Sequence, residues 1–250
     1  MANRDFRTGT AREDWNLRAR ENYRHAIATY VVGEEQEEAF RASGETDASE
    51  LLAFLGGGDV PALRVLEYGC GVGRLMVPLS RSFGEIRGID ISDEMVRIGR
   101  ERGAGRADLH FHVLEDGKLP FPDGSFDLVY SLHVFQHMPR PALRAILPEL
   151  ARVLRPNGRL VFQLTRPYTL RRLVQALSGA DRISRRVRRD AADDAPETYR
   201  RRYYTKRDVR RLLEASGLRL VRRARALSNP RHHYHLAVRP RGTAGEPTRL

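Results

Sequence analysis

Between Leu63 and Thr165, short runs of β-branched and apolar residues alternate with segments whose apolar positions recur every three or four residues. Gly, Pro or Asp separates each run from the next. Strands are predicted over 64–67, 86–89, 109–113, 126–131 and 159–164, with helices over 73–83, 92–102 and 141–154 between them. This alternation builds a parallel α/β sheet. Pro148 is placed to kink or restart the last of these helices. Ahead of the alternation, 11–55 has little strand propensity and reads as two or three helices broken at Gly33 and at Ser43-Gly44. Beyond it, 167–203 is too long for a plain loop and holds an amphipathic piece, 170–177, and a polar run, 190–197. Thr205 can cap a helix that runs to Leu213 and stops at Gly217, after which 218–221 and 233–238 alternate as strands. The tail from Arg239 is expected to be disordered.

The chain divides on this pattern into a helical cap or lid over 1–58 and a core over 59–166. A helical, arginine-rich insertion over 167–204 follows, then a helix and strands over 205–240 that complete the core sheet, and a tail over 241–250. With 250 residues, 41% of them hydrophobic, there is material for one sizeable core and a small accessory lobe. No run approaches the roughly 20 apolar residues of a membrane span, and the first 21 residues are polar rather than a secretion signal, so a cytosolic protein is expected. Cys70 is the one cysteine, which excludes an intramolecular disulfide and leaves any zinc site to histidine and carboxylate.

The net charge is +12, and it is local: 166–225 holds 19 basic and 7 acidic residues. Two readings stay open, a solvated arginine-decorated surface and a basic wall that attracts an anionic substrate or carrier.

The densest chemical signal is Val65-Leu66-Glu67-Tyr68-Gly69-Cys70-Gly71-Val72-Gly73-Arg74, a buried strand running into a glycine-rich turn and then a helix. Such turns let a ligand approach the backbone. The dinucleotide pattern G-x-G-x-x-G is not met, because Arg74 stands where its third glycine belongs. Glu67 would face a phosphate in a dinucleotide, but it suits the cationic amino group of an amino-acid-type cofactor. About 20 residues on, Gly88-Ile89-Asp90-Ile91-Ser92-Asp93-Glu94-Met95 puts Asp90 at the end of the second strand, where an acid can hold ribose hydroxyls, with Ser92 capping the next helix. Then comes Glu115-Asp116-Gly117, followed by Leu119-Pro120-Phe121-Pro122-Asp123-Gly124-Ser125-Phe126-Asp127.

In these stretches the chain resembles the class I methyltransferases that depend on S-adenosylmethionine (SAM), over 64–238. The resemblance implies an α/β, Rossmann-like, seven-stranded sheet, mostly parallel with a last antiparallel strand, beneath an N-terminal helical cap. It implies SAM as cofactor, with the methionine part cradled by Glu67, Gly69, Cys70, Gly71 and Gly73, and the ribose held by Asp90. Adenine would lie near Ile91, Met95, Glu115, Asp116 and Gly117, with Ser131 and Tyr30 also at the cofactor. Which of Glu115 and Asp116 faces adenine stays open, since the family commonly has Asp-Ala there. Asp127 reads as structural, and Cys70 as packed rather than nucleophilic.

Methyl transfer from a sulfonium chiefly needs alignment, exclusion of water and, for hydroxyl acceptors, a base. The fourth strand ends in Tyr130-Ser131-Leu132-His133-Val134-Phe135-Gln136-His137, at the edge where parallel sheets bind ligands, so His133 and His137 are the candidate bases. Near the C-terminus, His232 and Tyr234 share one strand face and His233 and His235 the other, so at most one pair looks into a pocket. No metal site is expected. The stretch from Trp15 to Tyr23, with Tyr30 and Ser43-Gly44-Glu45, is similar to the N-terminal segment of uncharacterised bacterial members of the family, a lid or a packing helix. The expected function is methylation of an O, N or C nucleophile on a small molecule, anionic or carrier-bound if the basic segment faces it, in bacterial specialised metabolism. An RNA methyltransferase lacks support from any aromatic-interleaved RNA-binding module, and a non-catalytic SAM-binding protein is the third reading. Oligomeric state has no signature here.

Overall fold

In the computed structural model, which describes residues 10–28, 36–57, 63–165, 202–228 and 232–241, two strands form the centre. These are β1 (Val65–Tyr68) and β4 (Phe126–Ser131), and every residue of both is buried. Burial on both faces is what a parallel sheet covered by helices imposes. β1 pairs in parallel with β4 on one side and with β2 (Ile86–Asp90) on the other, and β2 pairs in parallel with β3 (Leu109–Val113). β4 pairs in parallel with β5 (Leu154–Thr165). β7 (His232–Val238) then runs antiparallel between β5 and the edge strand β6 (Arg219–Arg225). The seven-stranded order is β3-β2-β1-β4-β5-β7-β6. The chain therefore switches direction of travel between β1 and β4, where strand ends diverge and leave a crevice.

Each face has its own apolar layer. On one, Val65, Leu128, Tyr130 and Val161 pack with Met76 and Leu79 of α3 (Met76–Phe83) and Leu51 of the cap helix α2 (Gln36–Leu55). On the other, Leu66, Val129 and Leu160 pack with α5 (Arg140–Val153) and α6 (Lys206–Glu214). A third cluster joins α1 (Thr10–Ile27), α2 and α4 (Asp93–Arg102) through Ala19, Phe40, Val72 and Met95. Each fully buried Leu, Phe or Met contributes roughly 1.5–3 kcal/mol, so burial of Leu51 and Phe40 ties the cap helix α2 to the core.

Several sequence expectations are corrected. α2 is not broken at Ser43-Gly44. Ser43 Oγ donates to the Phe40 carbonyl at 2.7 Å inside the helix, and Gly44 is there for space: a Cβ would lie 2.5 Å from the Arg74 carbonyl oxygen. Gly44 lets two backbones approach. α3 begins at Met76 rather than Gly73, because residues 71–75 are spent in the glycine turn. α5 runs through Pro148. β5 extends past both predicted ends, and β6 continues to Arg225. Ser92 and Thr205 cap their helices as expected, Ser92 Oγ accepting from Met95 N and Thr205 forming a reciprocal box with Asp208. Gly33, Tyr30 and nearly all of the arginine-rich insertion lie outside the described residues, as does most of the tail.

Candidate functional site

The crevice opens at the C-terminal ends of β1, β2 and β4. Gly69, Gly71 and Gly73 have φ of 77°, 52° and 78°, the left-handed region that only glycine enters freely. A Cβ on Gly69 would lie 2.3 Å from Val134 Cγ2, so the loop after β4 rests directly on the turn. At the foot of the turn Glu67 is buried and accepts a 2.9 Å hydrogen bond from the Tyr130 hydroxyl. Burial, followed by the nearby Asp90 charge, outweighs that bond and pushes its carboxyl up to about 8. Asp90 accepts from the backbone amides of Gly71 at 2.8 Å and Ser92 at 2.9 Å; burial raises its carboxyl despite both bonds. Two acidic groups thus sit at one backbone cradle, and the Arg74 charge near Glu67 and the Arg12 charge near Asp90 do not offset their burial.

The remaining predicted cofactor residues divide. Ser131 is buried with its hydroxyl donated to the Tyr68 carbonyl at 2.8 Å, a bond that ties β4 to β1. Cys70 is buried facing Gly88 and Met76, and burial raises its thiol well above the usual range, so it packs and does not react. Met95 lies in the cap cluster, and Ile91 is half-buried at the mouth. Glu115 and Asp116 are exposed, with Gly117 at φ 78°. Asp127 is structural, accepting from Arg64 N at 2.7 Å and pairing with Arg155 Nε at 2.5 Å. Tyr30 lies outside the described residues.

The cap closes over this half of the crevice. Asn16 accepts from Ser92 Oγ at 2.6 Å and from Glu94 N, and donates to Asp93 at 3.0 Å. Arg12 reaches Asp93 and the Leu114 carbonyl, both at 2.6 Å. At the other end of α1, Ile27 Cδ1 stands 3.2 Å from where a Gly71 Cβ would be.

The two histidines after β4 turn to different partners. His133, at φ 64°, places Nε2 3.1 Å from Asp47 Oδ2 of α2, with the His232 ring 5.0 Å away. Asp47 is buried and also accepts from Arg74 at 2.7 Å. Burial alone would raise the Asp47 carboxyl, but His133 and Arg74 beside it bring it down to about 2. His137 instead meets the Trp15 ring edge-on at 6.3 Å and places Nε2 3.1 Å from Gln136 Nε2. Gln136 in turn bonds the Thr165 hydroxyl at the end of β5 and, through its backbone oxygen, Arg202 N. Of the C-terminal histidines, His232 shares the His133 side with Tyr234. His235 stacks on Phe162 across the sheet, where burial lowers it to about 3.

Residues 66–162 match the family model described as a methyltransferase domain. Over this stretch the chain is similar to the class I SAM-dependent methyltransferases. It is 38% identical over 118 residues to 2-methyl-6-phytyl-1,4-hydroquinone methyltransferase of Synechocystis, covering 46% of this chain and 36% of that protein. It is 33% identical over 130 residues to ubiquinone biosynthesis O-methyltransferase of Xanthomonas oryzae, covering 51% and 53%. A third relative, methyltransferase GfsG of Streptomyces halstedii, is 36% identical over 101 residues, covering 39% of this chain and 36% of its own. The chain thus spans between about a third and a half of the length of these curated relatives. The fold of magnesium protoporphyrin IX methyltransferase from Synechocystis, solved with bound SAH, superposes with a TM-score of 0.64 at 22% identity, covering 92% of this chain and 98% of that one. Among the described residues no helix is long and apolar enough to cross a membrane, and no group of three or more His, Cys, Asp or Glu could hold a metal ion.

Around the crevice, sequence reading missed Asp47, Asn16, Arg12 and Tyr130. The first three lie on cap helices whose partners in the sheet and its loops are distant, Asp47 from His133 by 86 positions, Asn16 from Asp93 by 77 and Arg12 from Leu114 by 102, and no local pattern marks such pairs. Tyr130 carried a signal in principle: it is a polar-tipped residue in the strand beside β1, directly opposite Glu67.

Proposed function

We propose that this protein transfers a methyl group from SAM to an O, N or C nucleophile on a small molecule. The observation that carries the cofactor reading is Glu67, a buried carboxyl at a glycine turn that burial and the Asp90 charge keep raised in spite of the Tyr130 hydrogen bond and the Arg74 charge. A cationic amino group relieves that strain, and a phosphate worsens it. The residues present therefore fit SAM: Glu67 and the glycine turn would hold its amino-acid end, Asp90 its ribose hydroxyls, and the edge at Ile91, Glu115, Asp116 and Gly117 its base. When bound, SAM supplies a sulfonium methyl group whose leaving group departs neutral. α1 keeps water from the turn through Ile27 and through the ties of Asn16 and Arg12. His133 takes the proton from the acceptor, and His137 supports the loop against Trp15.

Relatives named for a hydroquinone and for ubiquinone biosynthesis make a quinol-type ring the first acceptor class to try, in bacterial specialised metabolism as the GfsG likeness supports. The surplus of arginine over 166–225 supports an anionic or carrier-bound acceptor, and the lone cysteine a cytosolic setting. The test is transfer of labelled methyl from SAM to a panel of neutral and anionic quinols and phenols, with calorimetry against SAM and NADH. Binding of SAM in the micromolar range with transfer to one of the panel is expected. Binding of NADH and not SAM would overturn the reading. For an anionic acceptor, kcat/KM falls as salt rises to about 0.5 M, where the screening length is a few ångströms.

A further inference from the structure

His133 holds a left-handed φ of 64°, a conformation that side chains adopt where their surroundings impose it. Its ring is met by a group on another element: Asp47 Oδ2 lies 3.1 Å from His133 Nε2. Asp47 is itself fixed by the buried guanidinium of Arg74, 2.7 Å away, and Arg74 by Ser43 at 3.2 Å. The Asp47 side chain is 7% exposed and that of His133 27%, so the ring stands between a buried carboxylate and the open crevice. Among the described residues no hydrogen bond engages Nδ1.

We propose that Asp47 is a positioning residue that sets the tautomer of His133, placing the proton on Nε2 and leaving Nδ1 as the proton acceptor of the acceptor site. An ionised carboxylate can only accept, so the ring nitrogen facing it must donate. Arg74 keeps Asp47 in that ionised form. The inference rests on His133 acting as base in the proposed methyl transfer. In that step the acceptor's O–H or N–H proton would move to Nδ1 while the oxygen or nitrogen forms its bond to the methyl carbon and the methyl–sulfur bond breaks, its electron pair staying on sulfur to leave a neutral thioether. The positive charge that the sulfonium loses reappears on the imidazolium, where Asp47 balances it, and the proton leaves to solvent after product release. The His232 ring, tilted 56° to that of His133, walls its other side. A simple clamp between cap and core would need the Asp47–Arg74 pair alone and would make no demand on which ring nitrogen carries the proton.

The deciding measurement is long-range ¹⁵N–¹H correlation NMR on the full chain with ¹⁵N-labelled histidine, the His133 signals assigned by their loss in His133→Gln. The neutral ring is expected as the Nε2–H tautomer in the parent protein. Asp47→Asn, whose amide can donate, should shift it toward Nδ1–H. In that variant kcat should fall about 10²- to 10⁴-fold, while the affinity for S-adenosylhomocysteine by calorimetry stays within about twofold. Asp47→Glu should recover part of the turnover. A parent ring in the Nδ1–H form, or an Asp47→Asn protein with an unchanged tautomer or unchanged kcat, would overturn the proposal. Should Asp47→Asn fail to fold, the parent spectrum decides alone. Failure of the base reading is a separate observation, full turnover in His133→Gln.

Discussion

The two ends of the crevice share β1 and β4 but are assembled in different ways. At the glycine-turn end, beside the long-range Glu67–Tyr130 and Asn16–Ser92 bonds, the turn and the acid after β2 are held by contacts from side chain to nearby backbone: Asp90 to the amides of Gly71 and Ser92, Ser92 to Met95. The groups in these nearby contacts fall within 30 residues of one another. At the His133 end the contacts run between side chains of three elements, α2, the loop after β4 and the start of β7, with Asp47 and His133 86 positions apart. Backbone amides cannot be changed by substitution, whereas a side-chain partner can. The first end is thereby suited to a fixed ligand common to many chains, and the second to chemistry particular to this one.

The largest effect expected on this contrast is at the second end. His133→Gln should lower turnover by about 10²- to 10⁴-fold with cofactor affinity little changed, while His137→Gln, whose ring touches Trp15 and Gln136 rather than a carboxylate, should cost far less. Steady-state kinetics of the two variants side by side decides, and equal losses would erase the distinction. At the first end, Gly71→Val combines a φ of 52° with a Cβ directed at Ile27, a movable cap side chain, so the fold should persist while affinity for SAM drops by about 100-fold or more, read by calorimetry. Unchanged affinity would show that the turn is not the cradle.

A smaller, pH-dependent effect follows from Glu67. Its carboxyl is raised toward about 8 in the free protein, so below that pH it holds a proton that must leave before it can pair with a cationic amino group. Affinity for SAM should then rise with pH from 6 to 8, with proton release seen as a buffer-dependent binding enthalpy, and Glu67→Gln should flatten the slope. The same shift lowers the stability of the free protein as pH climbs from about 4.5 to 8, because the unfolded chain has already lost the proton that the native chain keeps. The smallest effect is at the cap. Asn16→Ala removes the acceptor of Ser92 Oγ and Glu94 N and should cost about 1–3 kcal/mol, read as a lower Tm with turnover reduced only as far as α1 loosens.

The same contrast explains what could be read from the sequence. The strands, the glycine turn, the Ser92 and Thr205 caps and the placement of Asp90 are products of neighbouring residues, and their signals are equally local. His133 was legible as a polar residue at the end of a central strand, but its left-handed backbone and its carboxylate partner were not. Asp47 is one acid in a helix that also carries Glu37, Glu38, Glu45 and Glu50, and nothing nearby sets it apart. Gly44 was misread for a related reason: its glycine answers to the Arg74 backbone 30 positions later, not to a helix end. Ser131 shows the reverse, a polar residue at the end of a central strand whose hydroxyl bonds the Tyr68 carbonyl of the neighbouring strand.

One consequence of α2 concerns the order in which a nascent chain acquires its parts. Leu51 and Phe54 leave the ribosome early, yet the surfaces that bury them include Met76 on α3 and Tyr234 on β7, and Glu50 waits for Ser228. The helix must stay uncovered, with its apolar side available to wrong partners, while almost all of the sheet is made. Only with β7 placed between β5 and β6 is the seat of α2 complete, since Phe54 stacks on Tyr234. A helix that precedes every strand of the sheet in sequence thus completes its packing only with the strands that come last.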